Sequence, residues 1–430
     1  MTVQLKLIGY AADARRPHIE TMSAIKLTQL TPEEEIYQLC SDTDDVTKIN
    51  LERGLDPEYV FNSRGQKLHV HSYWPDEKSL NTIVIALHGM GSHSNRPMQT
   101  YMANQFNANG MAYVCLDFHG HGYSDGVKGL VDSPEFLLDD AVSLLRALYS
   151  DETSNIANGP GGFRLKRQAV DAPFFLMGHS MGGSTAIFIG HMLSEGNLNI
   201  PTVHNDRQSI SAFFRGCLLL CPAIDIKMPP AIVVTALDYL IVPFFPNYSV
   251  PEMFVARKSS QKLIWSNPMF QDYVTRDGYP ANPEGLSYGD PIKFQTASTL
   301  VKMASRLQDL LSRVRFPFII FHDPSEQIVL VHGSERLLEK SLTPDVHKSI
   351  VMVEGGLHDL LSNSFTLVTE KSIDWIQSQL KIKIFKFDFS NMKTDSKVLV
   401  KAERSYFAYV LFLVCIFVFT ALLRFQGTLI

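Results

Sequence analysis

The order of apolar and polar positions between residues 81 and 221 predicts alternating strands and helices. Continuous apolar runs of strand length, such as Thr82–Leu87 and Met111–Leu116, are typical of strands buried on both faces of a parallel sheet. Between later runs, the stretch Pro134–Tyr149 has apolar residues at helical spacing, and Ser133 before it is a suitable cap. Repeated strand–helix units of this kind predict an α/β protein with a mostly parallel sheet and helices on both faces.

A polar extension precedes this alternation, and one long insertion interrupts it. Residues 59–74 alternate around a Ser-Arg-Gly-Gln turn and predict a two-stranded hairpin. Regular alternation stops at Pro222 and resumes with apolar runs at 316–322 and 349–353. The predicted organisation is therefore an N-terminal extension (1–55), a core in two parts (56–221 and 315–380), an inserted cap or lid (222–314), a basic juxtamembrane linker (381–405) and a transmembrane tail anchor (406–423).

Composition and charge change this picture little. The chain has 430 residues, of which 45% are hydrophobic and 19% charged, and its net charge of −5 gives no reason to expect a nucleic-acid partner. The five cysteines show no metal-type spacing and are predicted to be reduced thiols in a reducing compartment. The first 20 residues contain no apolar stretch of signal-peptide length, so secretion is not expected. Neither a metal nor an organic cofactor is expected.

Three loops at the carboxyl ends of predicted strands carry candidate catalytic groups, in the order serine, acid, histidine. Ser180 lies in Gly-His-Ser-Met-Gly-Gly between an apolar run and a buried helix, a pattern that predicts a sharp turn with an exposed hydroxyl. A serine hydroxyl is a weak nucleophile at neutral pH and needs a neighbouring base. His358 follows the last predicted strand and precedes the closing helix, and it is the predicted base.

The predicted acid and oxyanion hole come from two further turns. Residues 321–329 offer two carboxylates after the penultimate strand, of which Glu326 is preferred and Asp323 is the alternative. The acid would accept the imidazole N–H and fix its tautomer, although either carboxylate could instead cap the turn. The predicted oxyanion hole consists of the backbone N–H groups of Met181, directly after the serine, and Met90, in a His-Gly-Met-Gly turn.

These motifs together resemble those of the monoacylglycerol lipase and lysophospholipase group of α/β-hydrolases, also called serine aminopeptidase-like hydrolases. The resemblance covers residues 58–380 outside the cap, and it implies an α/β-hydrolase fold with Ser180 as nucleophile, His358 as base, and Met90 and Met181 at the oxyanion hole. The acid turn in that group usually reads His/Gln-Gly-x-x-Asp-x-x-Val. Here Asp323 stands in place of the glycine and Glu326 in place of the aspartate. The motifs that carry the resemblance are HGMGSHS (88–94), DFHGHGYSDG (117–126), GHSMGG (178–183), PFIIFHDPSEQIV (317–329) and VEGGLHDL (353–360).

The apolar segment that opens the cap, residues 229–245, has two interpretations. It is too short and too bounded by proline to predict a membrane span. One interpretation is a cap helix that packs on the core. The other is an apolar lid that touches a lipid surface and admits acyl chains. The sequence leaves both open.

The last apolar run, residues 406–423, predicts a tail anchor. Its 18 uncharged residues would span roughly 27 Å as a helix, which suits a thin bilayer such as that of the endoplasmic reticulum. A buried core helix is not expected here, because the predicted core is complete near residue 380. Basic residues before the run favour a single-pass anchor with a cytoplasmic catalytic domain; they are Lys381, Lys383, Lys386, Lys393 and Lys397.

The sequence therefore predicts a membrane-tethered serine hydrolase that cleaves carboxylic esters of single-chain lipids. Monoacylglycerol, cleaved to glycerol and fatty acid through an acyl-enzyme, is the leading substrate, and a lysophospholipid, a thioester or a small ester is the alternative. An alternative of a different class is a non-catalytic membrane scaffold with a hydrolase fold, which only the altered acid turn supports. The expected partners are the lipid ester and the membrane, the latter through the tail and, in the lid interpretation, the cap.

Overall fold

The computed structural model describes residues 58–150, 171–198, 200–202, 205–226, 229–251, 257–289 and 291–381. These residues form one eight-stranded sheet and two short two-stranded pairs. The strands are β1 (Glu58–Phe61), β2 (Lys67–Tyr73), β3 (Thr82–Leu87), β4 (Met111–Leu116), β5 (Phe174–His179), β6 (Pro201–Thr202), β7 (Asn205–Ser209), β8 (Phe214–Leu220), β9 (Gly278–Tyr279), β10 (Ser287–Tyr288), β11 (Phe318–His322) and β12 (Lys348–Met352). The helices are α1 (Pro97–Ala108), α2 (Pro134–Tyr149), α3 (Met181–Ser194), α4 (Ala231–Ala236), α5 (Arg257–Ile264), α6 (Pro268–Arg276), α7 (Phe294–Leu310), α8 (Val331–Lys340), α9 (Leu360–Asn363) and α10 (Phe365–Lys381).

The large sheet is mostly parallel, as predicted. Its strand order is β1-β2-β4-β3-β5-β8-β11-β12. The predicted hairpin forms β1 and β2, and β2 also pairs antiparallel with β4, whereas every later neighbour in the sheet is parallel. The carboxyl ends of the parallel strands therefore meet at one edge of the sheet, which brings together the loops after β3, β5, β11 and β12.

Apolar side chains cover both faces of the sheet, which explains the continuous apolar runs in its strands. Ile83 and Ile85 of β3 belong to a buried cluster that includes side chains of α2, α3 and α7, whereas Val84 and Ala86 belong to a second cluster with α1 and α10. Successive side chains of a strand point to opposite faces, so a strand covered on both sides keeps no polar alternation. The predicted placement of helices on both faces is confirmed.

The insertion after β8 is seated on core loops by buried polar contacts. His93, after β3, pairs with Asp277, just beyond α6, at 2.9 Å between Nε2 and Oδ2, and both side chains are fully buried. The hydroxyls of Thr296 and Thr299 on α7 donate to the backbone oxygens of residues 129 and 131. The last part of α7 also packs into the first apolar cluster, so this end of the predicted cap is joined to the core.

Helix α8 and the β6–β7 pair are elements that the apolar pattern did not predict. The buried positions of α8 are Gly333, Ser334 and Leu337, so small residues replace most of the apolar stripe. Gly333 is needed there, because a Cβ at this position would lie 2.7 Å from the backbone nitrogen of Asp225. Hydrophobic periodicity is a weak signal for a helix that packs through small side chains.

The predicted N-terminal extension, the basic linker after residue 381 and the predicted tail anchor at 406–423 lie outside the described residues. Within the described ranges, no helix is both long enough and apolar enough to cross a membrane. The tail anchor and the domain boundaries drawn from the sequence stay predictions.

Candidate active site

Ser180 occupies the sharp turn between β5 and α3. Its backbone has φ 52° and ψ −115°, a conformation that residues with a Cβ seldom adopt. Neighbouring main chain holds the turn: the Ser180 N–H donates to the Leu220 oxygen at 3.0 Å, and the Ser180 oxygen accepts the Ala223 N–H at 3.0 Å. The neighbouring main chain therefore holds Ser180, which is partly buried, in a strained backbone conformation.

Two glycines beside Ser180 let the strand and helix pass this closely. A Cβ on Gly178 would lie 2.3 Å from the oxygen of Gly182. One on Gly182 would lie 2.0 Å from the oxygen of Leu87, at the end of β3. Side chains at either position would force the turn apart, which is the physical reason for the Gly-x-Ser-x-Gly pattern.

His358 links Ser180 to Glu326. Its Nε2 lies 3.0 Å from the Ser180 Oγ, and its Nδ1 lies 2.8 Å from the Glu326 Oε2. In this arrangement Nδ1–H donates to the carboxylate, and Nε2 is left to accept the proton of the serine hydroxyl. The imidazole and the carboxylate are both buried, so bulk water competes little for the contact between them.

The Glu326 carboxylate is held in its charged form. Burial opposes ionisation, but the hydrogen bond and charge of His358 and two backbone N–H groups outweigh it and keep the pKa of Glu326 below its usual value. The two N–H groups belong to Ile328, 2.7 Å from Oε1, and Val329, 3.4 Å from Oε1. A charged carboxylate at Nδ1 fixes the tautomer and can stabilise an imidazolium.

Asp323, the alternative acid, has different partners. Its Oδ2 accepts the backbone N–H of Leu357 at 2.7 Å, and its Oδ1 accepts the N–H and the hydroxyl of Ser325 at 2.7 and 2.8 Å. Leu357 precedes the histidine and has a positive φ of 51°. Asp323 therefore clamps the loop that carries His358, while Glu326 contacts the imidazole itself.

The two residues predicted to supply the oxyanion hole lie beside Ser180. Met90 and Met181 line the same cavity as the serine, and Met181 begins α3, where N–H groups have no helical acceptor. The turn before Met90 passes so closely that a Cβ on Gly89 would lie 3.2 Å from the Ser180 Cβ. His88 anchors this turn by accepting the Phe118 N–H at Nε2 (3.1 Å), and burial lowers its pKa to about 4, so it stays neutral.

A cavity of about 340 Å³ opens onto Ser180 and His358. Most of its wall is apolar and comes from the insertion and the acid turn. Polar side chains cluster beside His358. The apolar lining includes Ile226, Val274, Ile292, Leu300, Met303 and Val329, and the polar lining includes Ser92, Arg96, His179, Trp265 and Asp359.

Four polar residues of this wall were not singled out from the sequence. Asp359 accepts from Arg96 Nη1 at 3.3 Å and from Trp265 Nε1 at 2.9 Å, which joins the histidine loop to α1 and the insertion. His179 Nε2 donates to the His358 oxygen at 2.8 Å, and desolvation together with the nearby His358 lowers the pKa of His179 to about 4. His179 and Asp359 could have been found from the sequence, because each is adjacent to a predicted catalytic residue, Ser180 or His358. No sequence pattern marks Arg96 or Trp265.

A possible metal-ligand group coincides with the same residues. Ligand atoms of Cys221, Glu326 and His358 lie within 4.8 Å of one another. Burial, and then the Glu326 charge, raise the pKa of the Cys221 thiol well above its usual value, so it stays protonated and is a poor ligand. Glu326 and His358 are hydrogen-bonded to each other. These three side chains therefore fit a hydrogen-bonded arrangement better than the coordination of a metal ion.

Known proteins resemble the chain along most of its length. A family model described as serine aminopeptidase, S33, matches residues 78–364. The monoglyceride lipase of Mus musculus is 22% identical over 329 residues, 76% of this chain and 91% of that protein. The monoacylglycerol lipase of Mycolicibacterium smegmatis is 21% identical over 330 residues, 75% of this chain and 98% of that protein. The crystal structure of a soluble variant of monoglyceride lipase from Saccharomyces cerevisiae, in complex with a substrate analog, matches with a TM-score of 0.54 and 18% identity over 76% of this chain and 96% of that one. The structural match supports the fold alone.

Proposed function

The chain belongs to the serine aminopeptidase S33 family and has an α/β-hydrolase fold, and on this basis we propose that it is a serine hydrolase cleaving carboxylic esters of single-chain lipids. The observation that carries the proposal is the position of His358, 3.0 Å from the Ser180 Oγ and 2.8 Å from Glu326. A hydroxyl, an imidazole and a charged carboxylate in this order form the arrangement that activates a serine for acyl transfer.

The proposed reaction proceeds in two halves. Ser180 Oγ attacks the ester carbonyl while its proton passes to Nε2 of His358, and the charge of Glu326 stabilises the imidazolium. The N–H groups of Met90 and Met181 bind the oxyanion, and each such donor contributes about 3–4 kcal/mol to transition-state stabilisation. His358 then protonates the leaving alcohol. A water molecule that gives its proton to His358 next hydrolyses the acyl-enzyme and frees the fatty acid.

Monoacylglycerol is the substrate that the cavity supports best. The apolar wall of the cavity suits one acyl chain. The polar side chains of the cavity lie beside His358, which must protonate the leaving alcohol. The mouse and mycobacterial relatives are named as monoglyceride and monoacylglycerol lipases, which favours the same ester here. Lysophospholipids, thioesters and small esters remain the alternative acyl donors.

A hydrolysis screen of the purified protein tests the substrate. Monoacylglycerols, lysophospholipids, acyl thioesters and short-chain esters are compared by kcat/KM at one pH. We expect kcat/KM for monoacylglycerol to exceed that for the lysophospholipid of the same acyl chain by at least about tenfold. The charged pair on the alcohol side of the cavity, Arg96 and Asp359, leaves no net positive charge there to bind a phosphate. A higher kcat/KM for the lysophospholipid, or for a short-chain ester, contradicts the assignment.

The proposal extends to attachment at a membrane. The segment after α4 leaves aromatic side chains exposed: Tyr239 by 60%, Phe244 by 72% and Tyr248 by 66%. The one charge of the apolar segment, Asp238, turns to α7 and pairs with Lys302 at 3.2 Å. Such a surface suits contact with lipid. We propose that residues 406–423 anchor the chain, in the endoplasmic reticulum with a cytoplasmic catalytic domain, and that the cap segment rests on the bilayer.

Removal of residues 400–430 tests the anchor. We expect the shortened chain to leave the membrane fraction and to keep kcat on a dissolved short-chain ester, because the candidate site lies wholly within residues 88–359. Fractionation and a soluble-substrate assay measure the two properties. Removal of residues 1–55 is the matched control and should leave membrane attachment intact. If the chain without its tail stayed in membranes, the cap segment would be the main anchor.

A further inference from the structure

The turn after β3, residues 88–94, is held between the core and a loop of the insertion, the cap loop (residues 277–289). The turn carries Met90, whose backbone N–H is one of the two predicted oxyanion donors. On the core side, a carboxylate oxygen of Asp117, just beyond β4, accepts the Ser94 N–H. On the other side, the cap loop contacts the middle of the turn, beside Met90.

Two contacts join the cap loop to the turn. The Asp277 carboxylate lies 2.9 Å from His93 Nε2, and both side chains are fully buried. The Tyr288 N–H donates to the Gly91 oxygen at 3.0 Å. Gly91 has a positive φ of 70°, and a Cβ there would lie 3.2 Å from the Tyr288 oxygen, so the loop and the turn pack main chain against main chain. Because Gly91 directly follows Met90, the cap loop supports the backbone beside the oxyanion donor.

Asp277 also holds the cap loop together. Its Oδ1 accepts the Leu286 N–H at 3.0 Å, and its Oδ2 accepts the N–H and the hydroxyl of Ser287 at 3.1 and 2.7 Å. Burial opposes ionisation, but His93 and these loop donors outweigh it and lower the pKa of Asp277 to about 2. The carboxylate is therefore charged at neutral pH, and it accepts hydrogen bonds both from the turn and from the loop that carries Tyr288.

The His93 ring connects this carboxylate to the main chain of the turn. Its Nδ1 accepts the Asn95 N–H at 3.1 Å, so the proton of the ring is on Nε2, which donates to Asp277. Both ring nitrogens are thus used. A displaced carboxylate would move the ring, and the ring would move the backbone that follows Met90.

We propose that Asp277 is a positioning residue for ester hydrolysis, which holds the Met90 N–H in the oxyanion hole through His93 and the cap loop. The inference rests on the proposed function and names what sets the geometry of the same site. Loss of one oxyanion donor costs about 10²- to 10³-fold in kcat, and a misplacement of about 1 Å can cost about 10²-fold. The insertion therefore does more than cover the cavity, because its cap loop keeps an oxyanion donor in place.

The test compares Asp277→Asn and His93→Asn with His93→Gln, the matched variant. An amide at position 277 turns its own NH₂ group towards the donors that the carboxylate accepts. At position 93 an asparagine is too short to reach Asp277, whereas a glutamine places its NH₂ group near the position of Nε2 and can still donate. With 1-oleoylglycerol, we expect kcat to fall by at least about tenfold in both asparagine variants and to stay within about threefold in His93→Gln. KM should stay within about twofold in all three, because the apolar wall that binds the acyl chain is unchanged.

Thr299→Val is the control for a general loosening of the insertion. The Thr299 hydroxyl also joins the insertion to the core, by donating to the Val131 oxygen at 2.9 Å, in a contact that does not include the turn. We expect Thr299→Val to lower the free energy of unfolding and to leave kcat within about twofold. An equal loss of kcat in Thr299→Val and in Asp277→Asn overturns the inference.

A milder variant, Ser287→Ala, keeps the inference testable if Asp277→Asn fails to fold. It removes one donor from the Asp277 oxygen that His93 also contacts, and we expect kcat to fall by at least about threefold with KM unchanged. The inference is overturned, while the proposed function stands, by an unchanged kcat in folded Asp277→Asn, or in Ser287→Ala where Asp277→Asn does not fold. A His93→Gln protein as slow as His93→Asn overturns it too. An unaltered chain that does not hydrolyse 1-oleoylglycerol overturns the proposed function instead.

Discussion

The Ser180→Ala protein is expected to lose labelling by a fluorophosphonate probe completely and to lose ester hydrolysis by about six orders of magnitude. The Ser180 Oγ is the hydroxyl that meets His358 Nε2, at 3.0 Å. Alanine leaves the imidazole and the carboxylate in place but removes the atom that forms the acyl-enzyme. What survives would be the contribution of the oxyanion hole and of substrate binding to attack by water.

Ser184→Ala is the control for this experiment. Ser184 lies one helical turn after Ser180 and lines the same cavity, but its hydroxyl donates to the Ala223 oxygen at 2.9 Å and does not meet the imidazole. We expect this variant to be labelled and to hydrolyse esters at close to the unaltered rate. Labelling that persists in Ser180→Ala would place the nucleophile elsewhere. Absence of labelling in the unaltered chain would favour a non-catalytic scaffold.

The large sheet can be predicted from the sequence because most of its parallel strands are buried on both faces. Ile83 and Val84 point into different apolar clusters, so the strand is apolar at every position after Thr82, and its short length and β-branched residues distinguish it from a helix. Helix α8 has no such signal, since Gly333 and Ser334 form most of its buried face. Periodicity detects burial by large side chains and is insensitive to close packing by small ones.

The positions of the candidate catalytic loops follow from the same pattern, because carboxyl ends of parallel strands meet at one edge. The contacts between side chains do not follow from it. Arg96 and Asp359 form one wall although they are 263 residues apart in the chain, and neither occurs in a motif that marks a pair. Such a contact depends on how the loops fold above the sheet, which local sequence does not specify.

Within a single turn too, the sequence does not specify the side-chain contacts, as Glu326 and Asp323 show. The sequence offers two carboxylates three residues apart, and both side chains are buried. The difference lies in the path of the turn: it directs Oε2 of Glu326 to the imidazole and Oδ2 of Asp323 to the Leu357 N–H. A glutamate reaches one bond further than an aspartate, so the turn has room for a second carboxylate that holds the histidine loop.

Glu326→Gln is therefore expected to lower kcat by about 10³- to 10⁴-fold, whereas Asp323→Asn should lower it by no more than about tenfold. An amide at position 326 carries no charge to stabilise the imidazolium, and it can present its NH₂ group to Nδ1 and favour the wrong tautomer. An amide at 323 can satisfy the Leu357 N–H or the Ser325 groups but not both, so its effect falls on stability, by about 1–2 kcal/mol.

The contrast is measured as kcat on one ester together with the free energy of unfolding of each variant. Glu326→Asp serves as the charge-retaining control, and it should fall between the unaltered chain and Glu326→Gln because its carboxylate is one carbon short of the imidazole. If Asp323→Asn lost more activity than Glu326→Gln in folded protein, Asp323 would be the acid and the contact at 2.8 Å between Glu326 and His358 would be structural. The expected order instead assigns orientation and charge to Glu326 and the support of the histidine loop to Asp323.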